Sequence, residues 1–181
     1  MFFYVVQNTK MFKPLYSYPQ SRLKYAILDN NVTVSIGSAI TAVTTPGTTE
    51  NTRYVKPAST GTPVLGVVVG FGTGDGAKVY KSFKGSSTVT TASDNTTNAK
   101  IGVWYVPAAD RNIDFVADVD NTLGTTPGST GIGAFALVDA NTLGESTYVA
   151  VGGPGYPKDF ISYGALKGET KKVVGRFANV I

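Results

Sequence analysis

The sequence predicts an all-β protein, an antiparallel β-barrel or sandwich with an extended N-terminal arm. Short β-branched and aromatic runs recur from Asn30 onward, roughly ten residues apart, between clusters of Gly, Pro, Asn and Thr. The chain has 21 glycines and 9 prolines, and only 15% of its residues are charged, a composition that suits short strands joined by turns. No stretch has the period of a long amphipathic helix, and alternating strand and helix units are absent, which argues against a parallel α/β sheet.

Ten runs fit a pleated sheet because Val, Ile, Thr, Phe and Tyr dominate them. In the first half of the chain the predicted strands cover residues 31–36, 52–57, 63–71, 77–83 and 101–106. In the second half they cover residues 112–119, 132–138, 146–151, 159–163 and 171–177. Regularly spaced short strands are typical of sandwiches and barrels, so we expect residues 29–181 to form a single β domain.

Residues 1–28 differ from the rest of the chain in charge and aromatic content. They hold four basic residues and no acid, whereas the remainder holds 12 basic and 12 acidic side chains. Pro14 and Pro19 favour extended backbone. This predicts an arm that attaches the protein to a partner; the alternative is an edge strand packed on its own domain. The candidate attachment residues are Phe2, Phe3, Tyr4, Lys10, Phe12, Lys13, Tyr16, Tyr18, Arg22 and Lys24.

The residue inventory argues against several functions. The chain has no Cys and no His, which excludes disulfides and thiolate sites and removes the usual general base and the imidazole metal ligands. The electrically balanced body argues against nucleic-acid binding. No apolar run approaches the length of a membrane span. We therefore expect a protein without catalytic residues, cofactor or membrane partner, made in the cytoplasm.

Two patterns leave an alternative open. Asp114, Asp118 and Asp120 fall on one strand face, which is typical of a solvated surface; a calcium site is the alternative, although the spacing does not fit an EF-hand. Trp104 and Tyr105 are adjacent, so they point to opposite faces of a strand. One of the two is expected in the core, and the other outward or at an interface, where a sugar-binding role is the alternative.

A glycine-rich stretch at residues 70–77 matches the G-x-G-x-x-A pattern of dinucleotide-binding loops. Such a loop needs a helix after it, because the amides at the helix N-terminus hold the pyrophosphate. The residues that follow, 78–83 (KVYKSF), alternate like a strand. We therefore interpret the stretch as a hairpin loop.

Three segments resemble tailed-phage head decoration proteins. Residues 53–58 (RYVKPA) leading to 61–71 (GTPVLGVVVGF) look like the central strand pair of that group. Residues 102–106 (GVWYV) and 113–118 (IDFVAD) resemble its next hairpin, and 136–142 (ALVDANT) its following turn. The resemblance covers roughly residues 50–150. It implies a small β-barrel module, usually oligomeric, that binds the outside of the capsid and bridges neighbouring capsomers.

The resemblance leads to a specific expectation of function. The protein would be a virion structural protein on the capsid surface, present in the host cytoplasm during assembly, with the major capsid protein as partner and a homotrimer as the favoured oligomer. One alternative is a carbohydrate- or receptor-binding β module of a head or tail fibre. Another is a small glycosidase without His, which would need two carboxylates about 5–10 Å apart in a cleft.

Overall fold

β-Branched and aromatic runs form the strands of this protein, and proline or a positive φ angle ends several of them. The computed structural model describes residues 11–43, 54–74, 88–120, 132–144 and 158–181. Three strands end at Pro14, Pro57 and Pro107. Proline has no backbone N–H, so it cannot donate a hydrogen bond to the neighbouring strand. Asn31 (φ 54°) and Gly37 (φ 87°) supply left-handed turns on either side of a short strand.

Thirteen strands and one 3₁₀ turn, Gln20–Arg22, lie within the described ranges. The strands are β1 Phe12–Pro14, β2 Lys24–Leu28, β3 Thr33–Ser35, β4 Ala39–Ala42, β5 Tyr54–Pro57, β6 Gly66–Thr73, β7 Thr88–Thr90, β8 Ile101–Pro107, β9 Phe115–Asp118, β10 Ile132–Asp139, β11 Thr142–Gly144, β12 Phe160–Ala165 and β13 Lys172–Phe177.

Five of the strands close into a small barrel in the order β2-β5-β4-β6-β8. Its pairs are antiparallel except for β2 with β5, which is parallel. The longest pairing joins β6 to β8 and contains a bulge between Val68 and Gly70, of the kind that helps a sheet to curve. The interior is filled by Ala26, Leu28, Val34, Ile40, Val55, Leu65, Val68, Phe71, Val103 and Tyr105.

A six-stranded antiparallel sheet, in the order β1-β9-β13-β12-β10-β11, packs against the outside of the barrel. Its inner face carries Phe12, Phe115, Phe135, Phe160 and Phe177, all buried. These rings share one core with barrel residues that point outward, among them Val67 and Val106. The main core therefore lies between the barrel and the sheet, because both have an apolar face to bury.

The two edges of this sheet are covered. At β1 the Phe12 amide donates to the Gly37 carbonyl at 2.9 Å, and Pro14 has no amide to offer. At β11 Leu143 forms a bridge to Val119, and the Asp120 amide donates to the Leu143 carbonyl at 2.9 Å. Covered edges protect a sheet against pairing with further strands.

The remaining pair, β3 with β7, is antiparallel. It buries Val34 in the barrel interior, while hydroxyls on its other face bond across the strands, Thr33 to Thr90 and Ser35 to Thr88, each at 2.8 Å.

The all-β prediction with an antiparallel barrel is confirmed. The predicted strands at 77–83 and 146–151 lie outside the described residues. Among the strands of the structure, β4, β7 and β11 were not predicted, and neither were β1 and β2, which fall in the predicted arm. The boundary placed at residue 28 needs correction for the described part of the arm. β1 is an edge strand of the sheet and β2 is a barrel strand between β5 and β8. Residues 11–28 therefore pack on the body, which was the alternative left open for the arm.

Candidate attachment surface

The arm is fixed to the body at its first described residue. The Met11 amide donates to Asp118 Oδ2 at 2.8 Å, and Lys172 Nζ donates to Asp118 Oδ1 at 2.7 Å. The Leu15 amide donates at 2.8 Å to the carbonyl of Asp114, the residue just before β9. Residues 1–10 are therefore joined to the body at a defined point, the edge of the six-stranded sheet beside Asp118.

A cluster of three side chains holds the linker between β1 and β2. Arg22 Nη2 lies 2.6 Å from Asp110 Oδ2, and the Tyr18 hydroxyl donates to the same oxygen at 3.1 Å. The Arg22 guanidinium also lies over the Tyr18 ring, 5.5 Å from its centre. We call these three residues the clasp. It joins the linker to the turn between β8 and β9.

The clasp alters the acidity of its two titrating members. The Asn112 backbone amide, followed by the Tyr18 hydroxyl and the Arg22 charge, holds the pKa of Asp110 below its ordinary value. Burial, and then the hydrogen bond to Asp110, raises the pKa of Tyr18. Both shifts favour the state in which Asp110 is ionised and Tyr18 is protonated.

The predicted attachment residues have different environments. Phe12 is 1% exposed and its ring lies 5.1 Å from that of Phe177, so it belongs to the core and is not a contact residue. Tyr18 and Arg22 are engaged in the clasp. Lys13 and Lys24 are exposed, and Tyr16 is 75% exposed. Outside the described residues lie Phe2, Phe3, Tyr4 and Lys10.

The structure also reveals an apolar surface that the sequence analysis missed. Opposite the buried phenylalanines, Ile132, Ile161 and Tyr163 are 52%, 37% and 51% exposed. The strand register places Ile132 opposite Tyr163 and Ile161 opposite Ala134, so these residues are contiguous on β10 and β12. We call these three exposed residues the apolar patch. The sequence of residues 159–163 (DFISY) could have predicted this patch, because its apolar and aromatic residues fall on both faces of the strand.

The predicted aspartate stripe lies on the same outer face of the sheet, on and beside β9. Asp114 accepts a hydrogen bond from Arg176 Nε at 2.7 Å, and Asp118 one from Lys172 at 2.7 Å. The Asp114 bond raises the pKa of Arg176. These two carboxylates thus already have cationic partners. In the described ranges no group of three or more Asp, Glu, His or Cys residues is arranged to hold a metal ion.

Trp104 and Tyr105 point to opposite faces, as predicted. Tyr105 is buried in the barrel interior, whereas Trp104 is half-buried on the outside, 5.1 Å from the Tyr25 ring. Glycines leave room for these rings: a Cβ atom at Gly102 would lie 2.5 Å from the Tyr25 hydroxyl, and one at Gly72 would lie 2.9 Å from the Tyr25 ring. Two aromatic rings therefore lie together on the outer wall of the barrel.

Across the described ranges no helix has the length and apolar composition needed to cross a membrane. Comparison with known proteins found no match for this chain among protein families, curated sequences or solved structures.

Proposed function

We propose that this protein is a virion structural protein that binds the outer capsid surface of a tailed phage and stabilises the head by bridging capsomers. Its partner is the major capsid protein, and it acts as a homo-oligomer, with a trimer favoured. The observation that carries the proposal is the N-terminal segment: Phe2, Phe3, Tyr4 and Lys10 precede Met11, whose amide donates to Asp118 at the edge of the β body.

Physical arguments support this proposal. Docking a flexible segment costs about 1–2 kcal/mol of backbone entropy per residue. Phe2, Phe3 and Tyr4 can offset much of that cost, because a buried aromatic side chain removes about 150–250 Å² from water. Many copies on a closed shell add avidity. The resemblance of residues 50–150 to head decoration proteins is the second support.

The proposal is tested by deleting residues 2–10 and measuring occupancy on the particle with which the protein co-purifies, identified by mass spectrometry and cryo-imaging. We expect a folded body with little or no occupancy. The control is Lys167→Ala, which removes an exposed side chain of the body that is not among the candidate attachment residues and should leave occupancy unchanged. Full occupancy of the truncated protein would contradict the attachment role, and a particle other than a phage head would contradict the function.

The second candidate is a carbohydrate- or receptor-binding module, favoured by the half-buried Trp104 beside Tyr25. Aromatic faces of this kind stack on apolar faces of sugars. Trp104 is the one tryptophan of the chain, so its fluorescence reports on this wall of the barrel. A saturable change on adding host surface glycans, lost in Tyr25→Ala, would favour this candidate. An unchanged spectrum would argue against it.

A further inference from the structure

We infer that the outer face of the six-stranded sheet is the contact between copies of this chain, with the apolar patch at its centre. The inference deepens the homo-oligomer in the proposed function and does not depend on the capsid. Isolated exposed apolar residues are common on soluble proteins, but contiguous ones mark interaction sites. Ile132, Ile161 and Tyr163 are contiguous by strand register.

Covered edges direct association to this face. Sheets in different copies associate either by adding strands at an edge or by packing face to face. The Gly37 carbonyl and Pro14 cover the β1 edge, and Val119 with Asp120 covers the β11 edge. Since both edges are covered, a second sheet can pack only against the outer face, which carries the apolar patch.

The charges beside the patch indicate what kind of partner fits. Arg176 is paired with Asp114 and Lys172 with Asp118, each at 2.7 Å, so these charges balance. A strongly acidic or basic partner gains little from such a surface. A second copy brings the same apolar patch and the same balanced pairs, and can place its Asp114 near this chain's Arg176.

The composition of the face matches the centre and rim of a protein interface. Tyr and Arg are enriched where partners bury their contacts, and the rim is polar. Here the Arg176 guanidinium lies 6.0 Å from the centre of the Tyr163 ring, and the paired charges lie on the β13 and β9 side of the patch.

The patch is too small to be a whole interface, since a stable contact buries about 800 Å² on each partner. It suits the centre of one. In a symmetric oligomer, residues near the rotation axis contact the same residues of the neighbouring copies. A compact patch near the axis of a dimer or a trimer is therefore buried by the patches of the other copies.

The test is sedimentation equilibrium of the full chain, comparing Tyr163→Asp and Ile161→Asp with the matched control Tyr16→Asp. Tyr16 is more exposed than either but lies on the linker. We expect the dissociation constant for self-association to rise about tenfold or more in both patch variants and to stay unchanged in the control. Circular dichroism and the thermal midpoint establish that each variant is folded.

Two results would overturn the inference: a wild-type protein that is monomeric at every soluble concentration, or patch variants that associate as the wild type does. Binding to phage heads distinguishes this failure from failure of the proposed function. Patch variants that associate normally but no longer bind heads would refute the copy contact and make the patch a capsid contact. Variants that dissociate into monomers yet bind heads with lost avidity would support the inference.

Discussion

Asp159 shows how one residue connects the two parts of this fold. Its side chain is fully buried, and its carboxylate accepts from the Leu137 amide at 2.9 Å on β10 and from the Gly61 amide at 3.2 Å in the connection between β5 and β6. Hydrogen bonds to an ionised acceptor are roughly twice as strong as neutral ones. The residue therefore joins the barrel to the six-stranded sheet.

Replacing Asp159 by Ala should lower the free energy of unfolding by about 2–4 kcal/mol, because two backbone amides lose their acceptor. Asp159→Asn keeps one oxygen and most of the shape, so its loss should be smaller. Glu169→Ala, at an exposed carboxylate, is the control and should change stability by less than about 0.5 kcal/mol. Urea unfolding measures all three. An Asp159→Ala protein as stable as the control would contradict this role.

The clasp should make stability depend on pH at both ends of the scale. The folded-state pKa of Asp110 is depressed, so its contribution is present above the ordinary pKa and is lost as pH falls through the folded value. The pKa of Tyr18 is raised, so its contribution is present below the ordinary pKa and is lost as pH rises through the folded value.

Asp110→Asn should therefore lose stability relative to wild type at neutral pH, and the difference should shrink in acid. Tyr18→Phe should be less stable than wild type at neutral pH, because the hydroxyl no longer bonds to Asp110. This difference in stability should shrink as the pH rises into the alkaline range. Unfolding curves recorded across the pH range give both differences. Differences that stay constant with pH would show that the clasp does not contribute through ionisation.

At the scale of elements, β1 gives the arm a structural role in addition to its proposed one. Phe12 packs against the rings of Phe177 and Phe160, at 5.1 and 6.3 Å, in the main core. If residues 1–28 were a free arm, deleting residues 2–20 would leave the body folded, but that deletion removes this ring and the whole of β1. A deletion meant to leave the body folded must therefore keep Phe12 and the rest of β1.

Phe12→Ala should lower the free energy of unfolding by about 3–5 kcal/mol, the usual cost of removing a buried phenylalanine. Deletion of residues 2–20 should destabilise at least as much, and deletion of residues 2–10 much less. Thermal unfolding followed by circular dichroism ranks the three variants by stability. A 2–20 deletion as stable as the full chain would mean that β1 adds nothing to the core.

Sequence pattern predicted the strands of the body because alternating apolar residues are a local signal. It missed β4, β7 and β11, which are three or four residues long and rich in Thr, Ala or Gly, so partners distant in the chain decide their state. The clasp was equally hidden, since Tyr18 and Asp110 lie 92 residues apart. Phe12 was misassigned because prolines and charges beside it resemble a free arm, whereas burial depends on the sheet it joins.

At the scale of the whole molecule, the proposed contact face and the basic residues between Met1 and Leu28 should control different steps of assembly. Of the basic arm residues that the structure describes, Arg22 is neutralised by Asp110, whereas Lys13 and Lys24 are exposed. Exposed charges act over a Debye length of about 8 Å at physiological salt, so they affect encounter more than release.

The double variant Lys13→Gln/Lys24→Gln should bind phage heads several-fold more slowly than wild type at low salt, with the same release rate. Raising the salt should remove the difference, because screening slows the wild type to the rate of the variant. Lys158→Gln/Lys167→Gln makes the same change in net charge at exposed body positions and should leave association nearly unchanged. Binding kinetics on immobilised heads measure both rates. Equal slowing by the two pairs would mean that net charge alone steers the encounter, and the arm would then lose its special role in it.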